Sequence, residues 1–504
     1  MDSAKRYRAL LCSCCLVLFA WPASAAMMEV GFDRAAIRSV AQTLPAGGEL
    51  RVTAVPWALG GANRPLALRL ARFEVFAPTA RIVLHTDAGE RALPVPENVY
   101  LRGGIEGEPG SRVVLSVLAT GEIRGLATAL GRTWLLGAGV EDGPLRVREV
   151  DGALELEQPG GGFRCALDDI GQAAYRAGDG SADEALAAIF DTSAQATPAV
   201  TPRAGAGPAF DHTAVIAIES DNEFLTIFGG DTTDATNYIA DLVAYSSTIY
   251  TDELQTSWVL GDVSLWAAVD PWLINDPGCG LLEFGRYWNL NHLATVRTVS
   301  HFLSGKASNS GIAWVGVLCR GGFSANPANF GGCPAPVNVT GNWGGGYGFT
   351  SGIDGNFNIN SPSIVWDIMA FTHEIGHNFN SPHTHCYAGL EGNANPIDQC
   401  YGSDPNAGCY SGPTSLPSGC PGSGQNCGTI MSYCHLISPG MSNTSLNLGV
   451  GHPYGIAPGR VPTRMRNHVV ATAAGNPSCL APIGILFIDG FGGGNTGAWS
   501  VTVP

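Results

Sequence analysis

The chain has 504 residues, enough for two hydrophobic cores rather than one. With 27 basic against 43 acidic side chains its formal charge is −16, which excludes the basic face of a nucleic-acid binder and disfavours an anionic membrane surface. Hydrophobic residues make up 45%, enough for packed cores, while 14% charged residues and 67 glycines predict a loop-rich chain.

The first 25 residues predict an export signal. Lys5, Arg6 and Arg8 precede an apolar run at 9–21 that is too short to span a bilayer, and Ala23-Ser24-Ala25 fits the small-x-small cleavage rule. No later stretch reaches the ~18 apolar residues of a membrane helix. A secreted, extracellular protein is therefore expected, with no stable membrane insertion after signal cleavage. Of 14 cysteines, Cys12, Cys14 and Cys15 fall in the signal, and ten of the rest lie between 279 and 479. An oxidising compartment would allow up to five disulfides there, in a connectivity that sequence leaves open. Cys165 stands apart, upstream of all ten.

Residues 26–178 read as β-rich, with runs such as 66–75, 80–85 and 112–117 separated by Gly/Pro turns. A polar, Ala/Pro/Gly-rich stretch at 179–208 reads as a linker around one short helix, and as a natural place for proteolytic release. From 209 to 480 strands and helices alternate. Strands are expected at 213–220, 257–266 and 312–318, and helices at 232–254, 296–303, 363–378 and 462–473. Ile239, Leu242, Val243 and Ile249 line one side of the first helix; Ile364, Ile368, Phe371 and Ile375 line one side of the third. This order predicts an α/β sandwich. The Gly-rich tail, 481–504, is similar to endings of secreted bacterial proteins, as a sorting or retention signal or a disordered end.

Four of the 11 histidines fall in one segment, THEIGHNFNSPHTH at 372–385. His373 and His377, four apart on the expected helix, project from one face about 6 Å apart along its axis. Both can then reach one Zn2+ at about 2.0–2.1 Å. Glu374, between them, can approach the metal's open side. A continuous helix would carry His383 out of reach, so the chain must turn back before it. Asn380 is the best non-glycine residue for a positive φ, and Pro382 forbids helix continuation. A lone histidine is usually a core or surface residue; three at these offsets point to a metal site.

HEIGHNFNSPH (373–383) resembles the metzincin pattern HExxHxxGxxH, and in detail its adamalysin/reprolysin branch. CGTIMSYC (427–434) looks like the Met-turn of that group, with Met431 as an apolar floor under the ligands. HFLSGKASNSGIAWVGVLC (301–319) is similar to the reprolysin segment ending in the substrate-lining edge strand, TAVIAIESDNEF (213–224) to the domain opening, and YLRGGIEGEPGSRVVLSV (100–117) to reprolysin propeptides. The chain departs from the pattern at Asn380, where the family has Gly, and at Thr384, where Asp usually follows the third His. Tyr433, two after Met431, is more like the astacin and serralysin turn, whose Tyr reaches the zinc or stabilises the oxyanion; otherwise it is a packed aromatic.

The resemblance implies an α/β (α+β) catalytic domain at 209–480, with a mixed twisted sheet and a zinc-binding helix, preceded by a β-rich propeptide at 26–178. It implies one catalytic Zn2+ held by His373, His377 and His383, Glu374 as general base, and protein or peptide substrates. Calcium is common in the family, but no residues here can be matched to its ligands. His385 stays outside the ligand set, which three histidines already fill. Cys165, in GFRCALDD, falls late in the propeptide, where its thiolate could take the metal's open position as a cysteine switch keeping a zymogen latent. A structural thiol or a disulfide is the alternative. Two readings compete with the peptidase: a non-catalytic secreted binding or adhesion protein on a metzincin scaffold, and a zinc hydrolase of non-peptide substrates.

Overall fold

A computed structural model describes residues 27–59, 62–138, 143–150, 163–169, 211–306, 308–406 and 408–480. The expected signal (1–25), linker (179–208) and tail (481–504) lie outside the described residues. In chain order the N-terminal part gives β1 (Met28–Gly31), α1 (Arg34–Thr43), β2 (Glu49–Leu59), β3 (Ala62–Phe73), β4 (Ile82–Thr86), β5 (Gly89–Leu93), β6 (Val99–Ile105), β7 (Arg112–Val117), β8 (Ile123–Ala129), β9 (Arg132–Ala138), β10 (Leu145–Glu149) and β11 (Arg164–Cys165). The rest gives β12 (His212–Ser220), α2 (Asn222–Ile227), α3 (Thr232–Leu254), β13 (Thr256–Trp266), α4 (Pro277–Asn291), β14 (Val299–Ser304) and β15 (Ser310–Ala313). It closes with β16 (Phe323–Ala325), β17 (Gly341–Gly344), β18 (Tyr347–Ser351), α5 (Ile364–Asn378) and α6 (Arg460–Gly475). No described helix is long and apolar enough to cross a membrane.

Two eight-stranded sheets organise these elements. The first has the order β1-β2-β3-β6-β7-β8-β9-β10 and is antiparallel from β2 onward. Asp33 caps α1 by accepting from the Ala36 N–H at 2.9 Å. Ile37 and Ala41 of α1 join Leu68, Leu101, Val113 and Leu115 in a core on one face of this sheet. Tyr100, Val114, Leu126 and Leu135 belong to the larger core on the other face, which contains α3. Both faces are covered, so β7 (RVVLSV) lacks the apolar–polar alternation of a half-exposed strand.

The second sheet has the order β11-β15-β18-β14-β12-β13-β4-β5. Its centre, β14-β12-β13, is parallel, while β15 runs antiparallel to β18, so the sheet is mixed. Strands from the N-terminal region form both of its edges. β4 pairs in parallel with β13 from Val263↔Ile82 to Trp266↔His85, with β5 outside it. At the far edge, β11 pairs in parallel with β15. The sequence division at 178/209 therefore does not separate two independent sheets.

The helices expected at 232–254, 363–378 and 462–473 are α3, α5 and α6. The helix expected at 296–303 is instead strand β14, whose six residues are all buried between β12 and β18. A short run buried on both faces has no period that distinguishes strand from helix. The strand expected at 312–318 ends earlier, at Ala313, before a positive φ at Gly316. Helices α1, α2 and α4 have no counterpart among the expected ones. In α4 three glycines weaken the helical signal, yet Gly285 faces the Trp343 carbonyl, where a side chain has no room, and Gly280 lies close against the Phe349 ring.

Candidate metal centre

Helix α5 carries His373, Glu374 and His377 on a fully buried segment. It ends where the sequence demands a turn. Asn380 has φ 77°, its N–H donates to the His377 carbonyl (2.8 Å), and the Ser381 N–H donates to the Gly376 carbonyl (3.1 Å). This pair of bonds around a left-handed residue is a Schellman ending with Asn in the usual glycine place. Arg464 of α6 donates to the Asn380 carbonyl (2.8 Å) and side-chain oxygen (3.2 Å), which fixes the turn. The chain then returns His383 to the first two histidines, its ring centroid 4.8 Å from that of His377 and 5.2 Å from that of His373.

Hydrogen bonds decide the tautomers. His373 Nδ1 donates to the Ile430 carbonyl and His377 Nδ1 to the Ser381 carbonyl, both at 2.7 Å. A carbonyl only accepts, so each Nδ1 carries the hydrogen and each neutral ring keeps a bare lone pair on Nε2. These two Nε2 atoms face each other at 3.1 Å. Two lone pairs at that distance repel unless a cation sits between them. Burial, then the neighbouring imidazoles, holds His373, His377 and His383 well below the usual histidine range, so all three are neutral donors.

Cys165 completes the cluster. Its sulfur lies 3.5 Å from His377 Nε2, and its thiol donates to Glu374 Oε2 at 3.5 Å. The four donor atoms of Cys165, His373, His377 and His383 lie within 4.8 Å of one another. In a tetrahedral zinc site two nitrogens sit about 3.3 Å apart, and nitrogen and sulfur about 3.5 Å. The donor set thus has the chemistry for zinc, and its His373–His377 and His377–Cys165 approaches have the spacing.

Residues 211–445 match the family model Reprolysin_5, described as metallo-peptidase family M12. The segment is a reprolysin-like, metzincin-type metallopeptidase domain. Its family implies a zinc cofactor, which the donor set fits. No curated protein matches the chain. A solved structure described as "Structure of a chaperone-substrate complex" is similar over 34% of this chain and 24% of that one, at 14% identity and a TM-score of 0.23, too slight a likeness to bear on the fold.

The metallopeptidase domain builds its floor from the loop around Met431. Met431 is fully buried against Gly376 of α5, where an added Cβ would collide with its sulfur. The loop also fixes the histidine cluster through its backbone. Ile430 accepts from His373, and the Met431 carbonyl accepts from the N–H (3.0 Å) and hydroxyl (3.2 Å) of Thr384. Thr384 therefore ties the loop that carries His383 to the loop around Met431, at the position where Asp was expected. The Cys420–Cys427 and Cys400–Cys434 disulfides anchor both ends of the turn. All ten cysteines beyond 278 pair, the others as Cys279–Cys333, Cys319–Cys479 and Cys386–Cys409, and Cys165 is a buried thiol outside every disulfide.

Tyr433 is buried with its ring 4.4 Å from that of His383, and its hydroxyl donates to the Cys165 carbonyl at 2.8 Å. His385 stacks on the His383 ring, 5.2 Å between centroids, and points its Nε2 to the Asp404 carboxylate at 3.2 Å. Two residues outside the sequence reading matter here. His435 Nε2 donates to the Phe163 carbonyl at 2.7 Å. Gly311 of β15 passes so close to Glu374 that a Cβ there would lie 2.5 Å from Oε1. Neither has a spacing that marks it in the sequence.

Proposed function

We propose that this chain is a secreted, zinc-dependent endopeptidase kept latent by its own Cys165. The observation that carries this reading is the 3.1 Å approach of two imidazole lone pairs, with a third buried histidine and a glutamate beside them. Zinc, when bound by His373, His377 and His383, would acidify a water and polarise the scissile carbonyl. Glu374 Oε2 faces the place that the Cys165 thiol occupies. Once the thiol leaves, that oxygen takes the proton of water entering there and returns it to the leaving amine. Tyr433, whose hydroxyl holds the Cys165 carbonyl, would turn to the substrate oxyanion.

The outer edge of β15 would bind substrate. Its inner edge pairs with β18, and its outer edge pairs with Arg164 and Cys165. Without that arm, β15 offers free N–H and C=O groups to an extended peptide, which would join as an added strand. The latent chain thus fills the cleft with backbone and the metal's open position with sulfur.

The deciding experiment measures zinc content and casein hydrolysis together, for protein cut within 170–210 and for its Glu374→Ala variant. Both should bind about one zinc, since Glu374 is not in the ligand set. The variant should lose at least ~10²–10⁴-fold in rate with its general base. Zinc in both with cleavage in neither would favour a non-catalytic binding role. A second outcome concerns Gly311. Gly311→Ala should keep the zinc and lower casein turnover by roughly 100-fold, because a 1 Å displacement of a catalytic group costs about that much.

A further inference from the structure

Helix α3 is buried along nearly its whole length, polar residues included. One side packs on β13 and the rest of the metallopeptidase core. The other meets the N-terminal sheet, and the contacts are those of an interior. Tyr100, Val114, Leu126 and Leu135 of that sheet share one continuous core with Ile239, Leu242 and Val243. Buried charges cross the same surface. Arg112 donates to Asp252 (2.8 Å) and Glu253 (2.7 Å), Arg124 to Asp241 (3.3 Å), and buried Arg102 to the Thr251 hydroxyl (2.9 Å).

The β4–β5 hairpin adds a second attachment. Beyond its register with β13, the Leu260 N–H donates to the Val75 carbonyl (2.6 Å), the Ala77 N–H to the Leu260 carbonyl (2.8 Å) and the Val263 N–H to the Arg81 carbonyl (2.8 Å). Removing the N-terminal part would bare the backbone edge of β13, a central apolar strand, to water and to other chains. It would also leave Asp241, fully buried on the metallopeptidase side, without the guanidinium of Arg124. The arm at 163–169 is held by far less. Only Phe163, Cys165 and Leu167 of its seven residues enter that core, and otherwise it meets the cleft through a two-residue strand, the carbonyl contacts to Tyr433, His435 and Ser310, an Arg164–Tyr401 bond and the Cys165 thiol.

We propose that the N-terminal sheet is a permanent half of the enzyme: after a cut between 170 and 210 it stays bound through α3 and β13, and only the arm at 163–169 leaves the cleft. The retention stands on the packing alone; its consequence for activation rests on the peptidase reading. The propeptide role expected from the sequence then belongs to the arm rather than to the whole of 26–178.

The test uses the full chain with a site-specific protease sequence placed within 179–208 and Glu374→Ala to prevent self-digestion. After cutting, native size-exclusion fractions are run on reducing gels. Both fragments should elute together at the position of the uncut chain and part only in denaturant. Two fragments separated under native conditions would overturn the proposal. The same cut in the Glu374 parent should give casein cleavage in the fractions holding both fragments, and activity confined to fractions without the N-terminal fragment would equally overturn it. Co-elution with no cleavage in any fraction would uphold the retention and count against the peptidase reading.

Discussion

Uncut protein carrying Cys165→Ala should cleave casein, while the uncut parent stays latent. The thiol lies 3.5 Å from both Glu374 Oε2 and His377 Nε2, so on the proposed reading it covers the general base and the metal's open position at once. A zinc site with four ligands is worth roughly 10–16 kcal/mol in apparent binding, or about 3 kcal/mol per ligand. Loss of one such contact raises the open fraction about 100-fold, since each 1.4 kcal/mol is tenfold. Activation should nevertheless fall short of that produced by a cut. The arm of the variant keeps its backbone anchors, with the Phe163 carbonyl on His435 (2.7 Å) and the carbonyl of position 165 on Tyr433 (2.8 Å). The measurement is the initial rate of casein hydrolysis for uncut parent, uncut Cys165→Ala and cut parent. Unchanged latency in the variant would assign the block to the backbone arm alone. A thiol reagent offers an independent check, because buried Cys165 should react only after the cut.

The candidate site was legible as a cluster because its residues are local. His373, Glu374 and His377 lie within one helical turn, and His383 follows a turn residue whose positive φ the sequence already required. The long helix at 232–254 was legible for the same reason, as its period is written within its own residues. What escaped is long-range. The sequence VSHFLS is buried on every side and carries no period, so strand β14 read as a helix. Glycines 278, 280 and 285 disguised α4, and each is explained only by a ring or carbonyl from distant chain. The hairpin at 82–93 reads as an ordinary hairpin, and nothing local tells that it completes a sheet begun at residue 212. Gly311 matters only because Glu374, 63 positions later, comes to lie beneath it.

Arg112→Ala should cost about 3 kcal/mol of stability, an effect well beyond that of a surface ion pair. The guanidinium donates to Asp252, to Glu253 and to the Leu446 carbonyl (3.1 Å), and the Glu253 side chain is wholly buried. Breaking a buried pair from one side strands the other charge, typically at about 3–5 kcal/mol. At about 2–4 °C per kcal/mol for a larger domain, a loss at the low end lowers Tm by roughly 6–12 °C. Arg132→Ala is the control: its pair with Glu149 is about half exposed and should contribute under ~1 kcal/mol. Glu253 also accepts from the Leu448 N–H (3.0 Å) and the Val450 N–H (2.9 Å), so the acceptor must survive any rescue. Glu253→Gln keeps an amide oxygen for those donors and removes the stranded charge. Added to Arg112→Ala, it should therefore recover part of the lost Tm; strictly additive losses would mean that packing rather than charge pairing holds this surface together. The effect should also reach the metal centre. The Asn447 carbonyl, between the two Arg112-linked residues Leu446 and Leu448, accepts from the Ile430 N–H at 2.9 Å, and Ile430 in turn holds His373. Zinc affinity measured by competition with a chelator should accordingly fall in Arg112→Ala, although residue 112 touches no ligand.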